Sequence, residues 1–159
     1  MPRVFTRTIE IPPEVIDVNG HVNNLAYLQW MQEAAIAHSA AQGWPVERYL
    51  EAGAVWVVRS HSIEYLAPAF KGDVLTLLTW VTGFKRFRSP RRYLFWRERD
   101  GVVIARAETL WVFVHASSGR PTAIPPELQQ AFLLVPPEED VLETFLHPSR
   151  AERGGAGQV

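Results

Sequence analysis

The sequence predicts an α+β domain: one strand, one long central helix, then a run of antiparallel strands with no helix between them. Three observations carry this. Apolar residues recur at helical spacing, with many alanines among them, from about residue 24 to 42. From Ala54 to about residue 116 the period changes to two, in runs rich in Val, Trp, Thr, Tyr and Phe. The connections inside that stretch are short, whereas a parallel pair needs a crossover of roughly a dozen residues or more, so the strands pair antiparallel.

Residues 3–11 alternate loosely and read as the first strand, closed by Pro12-Pro13, which cannot extend a sheet ladder. A loop over 12–23 follows, with Asn23 or Asn24 as the helix N-cap. In the helix, Tyr27, Met31, Ala34 or Ala35 and His38 share one face, with Leu28 and Trp30 alongside. Ala26, Ala34, Ala35, Ala37, Ala40 and Ala41 make it slim, which suits burial against a sheet that curls around it. Gly43 stops it, and Pro45 opens a short turn of helix through about Ala52. Strands are expected at 54–66, 73–83, 91–99 and 102–116. Lys71-Gly72-Asp73 separates the first two, and Asp100-Gly101 marks a hairpin between the last two. Ser117 to Pro121 form a turn, and Pro125-Pro126-Glu127-Leu128 starts a short helix. Residues 1–135 thus make the domain. Residues 136–159, rich in Pro, Glu and Gly, read as a partly flexible tail whose last ten residues are mobile.

The bulk properties exclude several classes. A length of 159 residues fits one domain with a real core. A net charge of −1 argues against a general nucleic-acid binder. With no cysteine there is no disulfide, thiol nucleophile or thiolate-bound zinc. The five histidines (21, 38, 61, 115 and 147) lack metal-ligand spacing, so no metal is expected. No apolar run suggests a membrane span or a signal core, and the expected location is cytoplasmic. The Gly-x-Ser-x-Gly elbow, the P-loop and the dinucleotide fingerprint are absent.

The chemistry concentrates in Asp17-Val18-Asn19-Gly20-His21-Val22-Asn23-Asn24-Leu25-Ala26-Tyr27. A carboxylate in a loop that runs straight into a helix can attack or deprotonate, while the free N–H groups of the first turn receive developing negative charge. The spacing Asp-x-Asn-x-His-x-Asn-Asn-x-x-Tyr resembles the signature of hot-dog-fold thioesterases of the 4-hydroxybenzoyl-CoA thioesterase type, and still more their acyl-ACP thioesterase relatives. The likeness extends over most of residues 3–130: motif, helix, strand order and the Gly-Arg-Pro ending at 119–121. It implies a hot-dog fold, an antiparallel sheet wrapped around the central helix. It implies hydrolysis of an acyl-CoA or acyl-ACP thioester to free acid and thiol. Asp17 would be nucleophile or general base, supported by Asn19 and His21, with the main-chain N–H near Asn24 as oxyanion donor. Tyr27 is family-typical and a candidate substrate contact, although its helix position reads as a core aromatic. The resemblance also implies a homodimer or homotetramer with sites between subunits. No cofactor is expected beyond the coenzyme A or acyl carrier protein of the substrate itself.

Five of the sixteen Lys and Arg fall within eight residues: Lys85, Arg86, Arg88, Arg91 and Arg92. They read as a clamp for coenzyme A phosphates, as a dock for an acidic carrier protein, or as a solvated loop. Glu33 in the helix reads as a supporting acid and Glu64 as solvated. Trp56, Trp80, Trp96, Trp111 and Phe113 are candidates either for an acyl pocket or for the core. Two alternatives stand beside the thioesterase. A hot-dog enoyl-CoA hydratase has Asp-x-Asn followed by proline, with histidine five residues after the acid; here Gly20 follows, and His21 comes only four after Asp17. A non-catalytic acyl-CoA-binding protein is disfavoured by the intact Asp17.

Overall fold

An eighteen-residue helix, α1 (Asn24–Ala41), lies against one face of a five-stranded antiparallel sheet in the computed structural model, which describes residues 2–148. The strands are β1 (Phe5–Glu10), β2 (Ala54–Tyr65), β3 (Val74–Val81), β4 (Arg88–Arg97) and β5 (Val102–His115). Short helices follow α1 as α2 (Val46–Ala52), α3 (Pro126–Gln130) and α4 (Val141–Leu146), and Pro13–Val15 form one 3-10 turn. The predicted helix and strands are present with small shifts at their ends. The largest is in β4, which starts at Arg88 rather than Arg91 because Lys85 and Arg88 already exchange backbone hydrogen bonds across the hairpin, at 2.8 and 2.6 Å.

The strand order β1-β3-β4-β5-β2 corrects one expectation. β2 and β3 are joined by only eight residues, 66–73, yet they do not pair; β2 pairs with β5, and β3 lies between β1 and β4. The connection crosses the end of the sheet, bonding to each neighbour in turn. Leu66 and Ala67 donate to Ile104 O, Pro68 O accepts from Arg97, and Ala69 O accepts from Val22 N. Arg97 fixes this crossing. Its guanidinium reaches Asp73 at 2.8 Å and Asp100 at 2.9 Å, so one buried cation ties the crossing segment to the β4–β5 hairpin. A short loop forces antiparallel pairing only when its two strands are neighbours, and side-chain partners decide which strands are.

The core sits between α1 and the concave face of the sheet. Tyr27, Met31 and Ala34 of the helix pack on Leu75, Leu77, Phe95 and Ile104. Met31 and Ala34 are fully buried, as the slim helical face predicts. The opposite face of the sheet is covered too. Leu78, Trp80 and Trp96 pack under Val135 and Val141, so the chain beyond residue 135 continues to bury apolar surface. Helix α4 was not expected from the sequence. Asp140 caps it by accepting from Glu143 N at 3.0 Å, and Val141 anchors it. The last ten residues lie outside the described residues. Among the described residues no helix is long and apolar enough to cross a membrane.

Candidate active site

The loop before α1 is closed on itself. Asp17 N donates to His21 O at 2.8 Å and Gly20 N to Asp17 O at 3.0 Å, with Gly20 at φ +79°, a conformation glycine reaches without strain. Asp17 Oδ1 accepts from the backbone N–H groups of Asn19 at 2.9 Å and His21 at 3.3 Å. Asn19 and His21 therefore support the carboxylate through their main chains. Neither the Asn19 carboxamide nor the His21 imidazole bonds to it, and the His21 ring instead packs edge-on against Phe70 at 5.3 Å. Oδ2 accepts no bond among the described residues, and Asp17 is exposed.

Asn23 links this loop to the helix. It is the N-cap, its Oδ1 accepting from Ala26 N at 3.0 Å while its Nδ2 donates to Val15 O at 2.9 Å. Asn24 is the first helical residue, and Tyr65 Oη donates to its carbonyl at 3.1 Å. The amides of Asn24 and Leu25 stand ahead of the first helical hydrogen bonds and have no acceptor among the described residues. A carboxylate and unfilled helix amides therefore share one short stretch of chain, where a thioester carbonyl could meet a base and donors together.

Other candidates fall elsewhere. Tyr27 is a core residue, 3% exposed and edge-on to Trp30, Tyr65 and Phe95, with burial pushing its phenol up to about 12; it offers no open face to a substrate. Glu33 is exposed on α1, nine residues past Asn24 and so about 13 Å along the helix from its start. It accepts from Gln29 at 3.3 Å. The expected basic clamp is corrected, because its members fall partly in the hairpin before β4 and partly on β4, where alternation sends Arg91 and Arg92 to opposite faces. Lys85, Arg86 and Arg88 are exposed at the β3–β4 hairpin. Arg92 lies on the outer face, bonded to Glu108 and to Pro137 O. Arg91 points inward and is only 5% exposed. Within one chain the hairpin is also separated from Asp17 by the length of β3, about 25 Å for its eight residues.

A cavity of about 360 Å³ opens at that far end, between the second half of α1, α2 and the inner face of the sheet. Its walls are mainly apolar, and six of the lining side chains are aromatic: Trp44, Tyr49, Trp56, Phe84, Trp111 and Phe132. Of the strand aromatics proposed from sequence, Trp56 and Trp111 line it, Phe113 packs in the core behind Trp56, and Trp80 and Trp96 lie on the outer face. Trp44, Tyr49, Phe84 and Phe132 come from loops and short helices, where no periodicity marks them as wall residues.

The family model of the thioesterase-like superfamily matches residues 11–132. The chain belongs to this superfamily. As a thioesterase-like protein it is 30% identical over 118 residues to the L-carnitine dehydrogenase/betainyl-CoA thioesterase of Agrobacterium fabrum, a match covering 73% of this chain. It spans about a quarter of that protein's length, 24%. Its fold is shared with solved thioesterases. The 1,4-dihydroxy-2-naphthoyl-CoA thioesterase of Synechocystis superposes with a TM-score of 0.74 at 22% identity, over 80% of this chain and 94% of that one. A Staphylococcus aureus protein solved in complex with CoA gives a TM-score of 0.76 at 19% identity, over 80% of each chain. The architecture of this superfamily member is the hot-dog fold expected from the motif.

Proposed function

We propose that this protein hydrolyses an acyl-CoA thioester to a free acid and coenzyme A. The observation that carries the reading is the pairing of Asp17 with the unfilled amides of Asn24 and Leu25, in a chain of the thioesterase-like superfamily. Asp17 takes a proton from water as the water oxygen attacks the carbonyl carbon. The carbonyl oxygen, now an oxyanion, is held by the amide of Asn24. Collapse breaks the C–S bond, and the sulfur leaves with the proton that Asp17 took up. In the second route Asp17 attacks directly, expels the thiolate, and the mixed anhydride is hydrolysed by water. Single turnover in heavy-oxygen water separates the two, since only the anhydride route can leave label in Asp17. The reaction needs no metal or cofactor of the protein's own, and activity is expected to survive chelators. An acyl carrier protein in place of coenzyme A is the alternative carrier, docked by exposed Lys85, Arg86 and Arg88.

The active form is proposed to be a homo-oligomer. Val18 and Leu25, flanking the site, are 103% and 74% exposed, and β2 leaves one long edge unpaired. A second copy would cover both and bring another chain's residues to Asp17. The decisive assay is thiol release from a panel of acyl-CoA and acyl-carrier-protein thioesters, with wild type and Asp17→Asn. Loss of a positioned base is expected to lower kcat roughly 10²–10⁴-fold, and loss of a nucleophile more. Full turnover in Asp17→Asn would remove Asp17 from the mechanism. Tight acyl-CoA binding with no turnover on any thioester would identify a binding protein instead.

A further inference from the structure

The aromatic cavity holds a buried cation with no buried anion to match it. Arg91, 5% exposed, borders the cavity together with the hydroxyl-bearing Ser39, Tyr49 and Ser89. Its two hydrogen bonds both leave from Nη1, to His38 Nδ1 at 2.9 Å and Thr79 Oγ1 at 3.1 Å. Both partners are neutral. A guanidinium can only donate, so His38 Nδ1 must accept, and the ring proton sits on Nε2. His38 is thereby fixed as a neutral imidazole, and its buried Nε2–H has no partner among the described residues. Among the described residues no carboxylate lies within ion-pair distance of Arg91, whereas the other inward arginine, Arg97, has two aspartates. An isolated buried charge is unfavourable unless it is paired.

We infer that this cavity is a binding site for a ligand with an apolar or aromatic body and a terminal carboxylate, the carboxylate resting on Arg91. The aromatic walls take the body, and the carboxylate gives the guanidinium the anionic acceptor that neither His38 nor Thr79 provides. The same charge makes the cavity hostile to a cationic head group. Aromatic walls alone would suit a quaternary ammonium, yet no acidic side chain lines the cavity and a fixed positive charge does. The carboxylate could be the far end of a substrate acyl group or belong to a free acid acting as an effector. Within one chain the cavity borders α1 from Gln32 onward, eight residues and about 12 Å along the helix from Asn24, so an acyl group reaches it only if extended or if presented by a second copy.

The binding arm uses the tryptophans already in the cavity wall. Wild type is titrated with matched aryl and alkyl compounds ending in a carboxylate, its carboxamide or a trimethylammonium group, following tryptophan fluorescence. The carboxylate is expected to bind roughly tenfold or more tighter than the carboxamide, and the cation weakest. Arg91→Gln should erase the preference, and Arg91→Lys should keep part of it. Should Arg91→Gln fail to fold, the wild-type comparison decides alone. A carboxylate binding no better than its amide, or a cation binding best, overturns the inference. This arm requires no turnover, so it stands or falls separately from the proposed thioesterase reaction. The second arm compares kcat/KM for thioesters ending in a carboxylate or its methyl ester. Preference for the carboxylate there identifies the acyl end as the ligand; preference seen only in binding identifies a free acid.

Discussion

Lowering the pH from 7 to 5 should destabilise this protein through His38, and the size of the effect can be worked out. Burial, reinforced by the Arg91 guanidinium, depresses the imidazole from 6.5 to about 3. The Phe5 ring stacked at 5.3 Å and Phe132 edge-on at 5.1 Å keep water from the imidazole, and the Arg91 guanidinium at 2.9 Å repels a second charge. At pH 5 the folded protein keeps His38 neutral, while the unfolded chain holds it mostly protonated. The unfolded state thus binds more protons, and stability falls as the pH drops below the unfolded value. For these two values the loss at pH 5 is about 2 kcal/mol, and nearly absent at pH 7. Urea unfolding at both pH values, on wild type and His38→Gln, isolates the term. Glutamine can still accept from Arg91 but does not titrate. Wild type is expected to lose about 2 kcal/mol more than the variant between the two pH values. Burial also lowers His61, which adds to the loss in both proteins and cancels in the comparison. Parallel losses in the two proteins would refute a buried, neutral His38.

Further outcomes follow from the loop and the sheet crossing. Asn23→Ala removes both the helix cap and the tie to Val15 O, and should cost about 1–2 kcal/mol in denaturant unfolding. It should also lower kcat, because Asn23 joins the Asp17 loop to the amides at the helix start. Asn24→Ala, which alters only an exposed side chain, should leave turnover within about twofold, since the proposed donor is main chain. Arg97→Met leaves Asp73, whose side chain is 9% exposed, with only the exposed Arg99 guanidinium at 3.4 Å, and should cost about 2–3 kcal/mol, measured by thermal or urea unfolding. Removal of the C-terminal segment from Pro136 onward should also destabilise, because Val141 buries apolar surface over Leu78, Trp80 and Trp96.

The sequence by itself determined what is local or periodic. The buried face of α1 follows from a 3.6-residue period, with Met31 and His38 where that period puts them. The β4–β5 hairpin follows from Asp100-Gly101, with Gly101 at φ +70°. The loop from Asp17 to Asn24 was legible because its bonds span only a few residues, although the sequence did not tell that Asn19 and His21 contribute backbone rather than side chain. The tertiary structure decided what depends on contacts between distant segments. The eight-residue link from β2 to β3 looks like any short hairpin connection, yet Arg97 and Ile104 draw it across the sheet end. Arg91 and Arg92, adjacent in sequence, separate because neighbours on a strand point to opposite faces, while Lys85 and Arg86 stay exposed in the hairpin before β4. Arg91 is set apart from the exposed arginines by burial against His38 and by the lack of a carboxylate nearby. A residue's charge is written in the sequence, but its environment comes from side chains brought together only by folding.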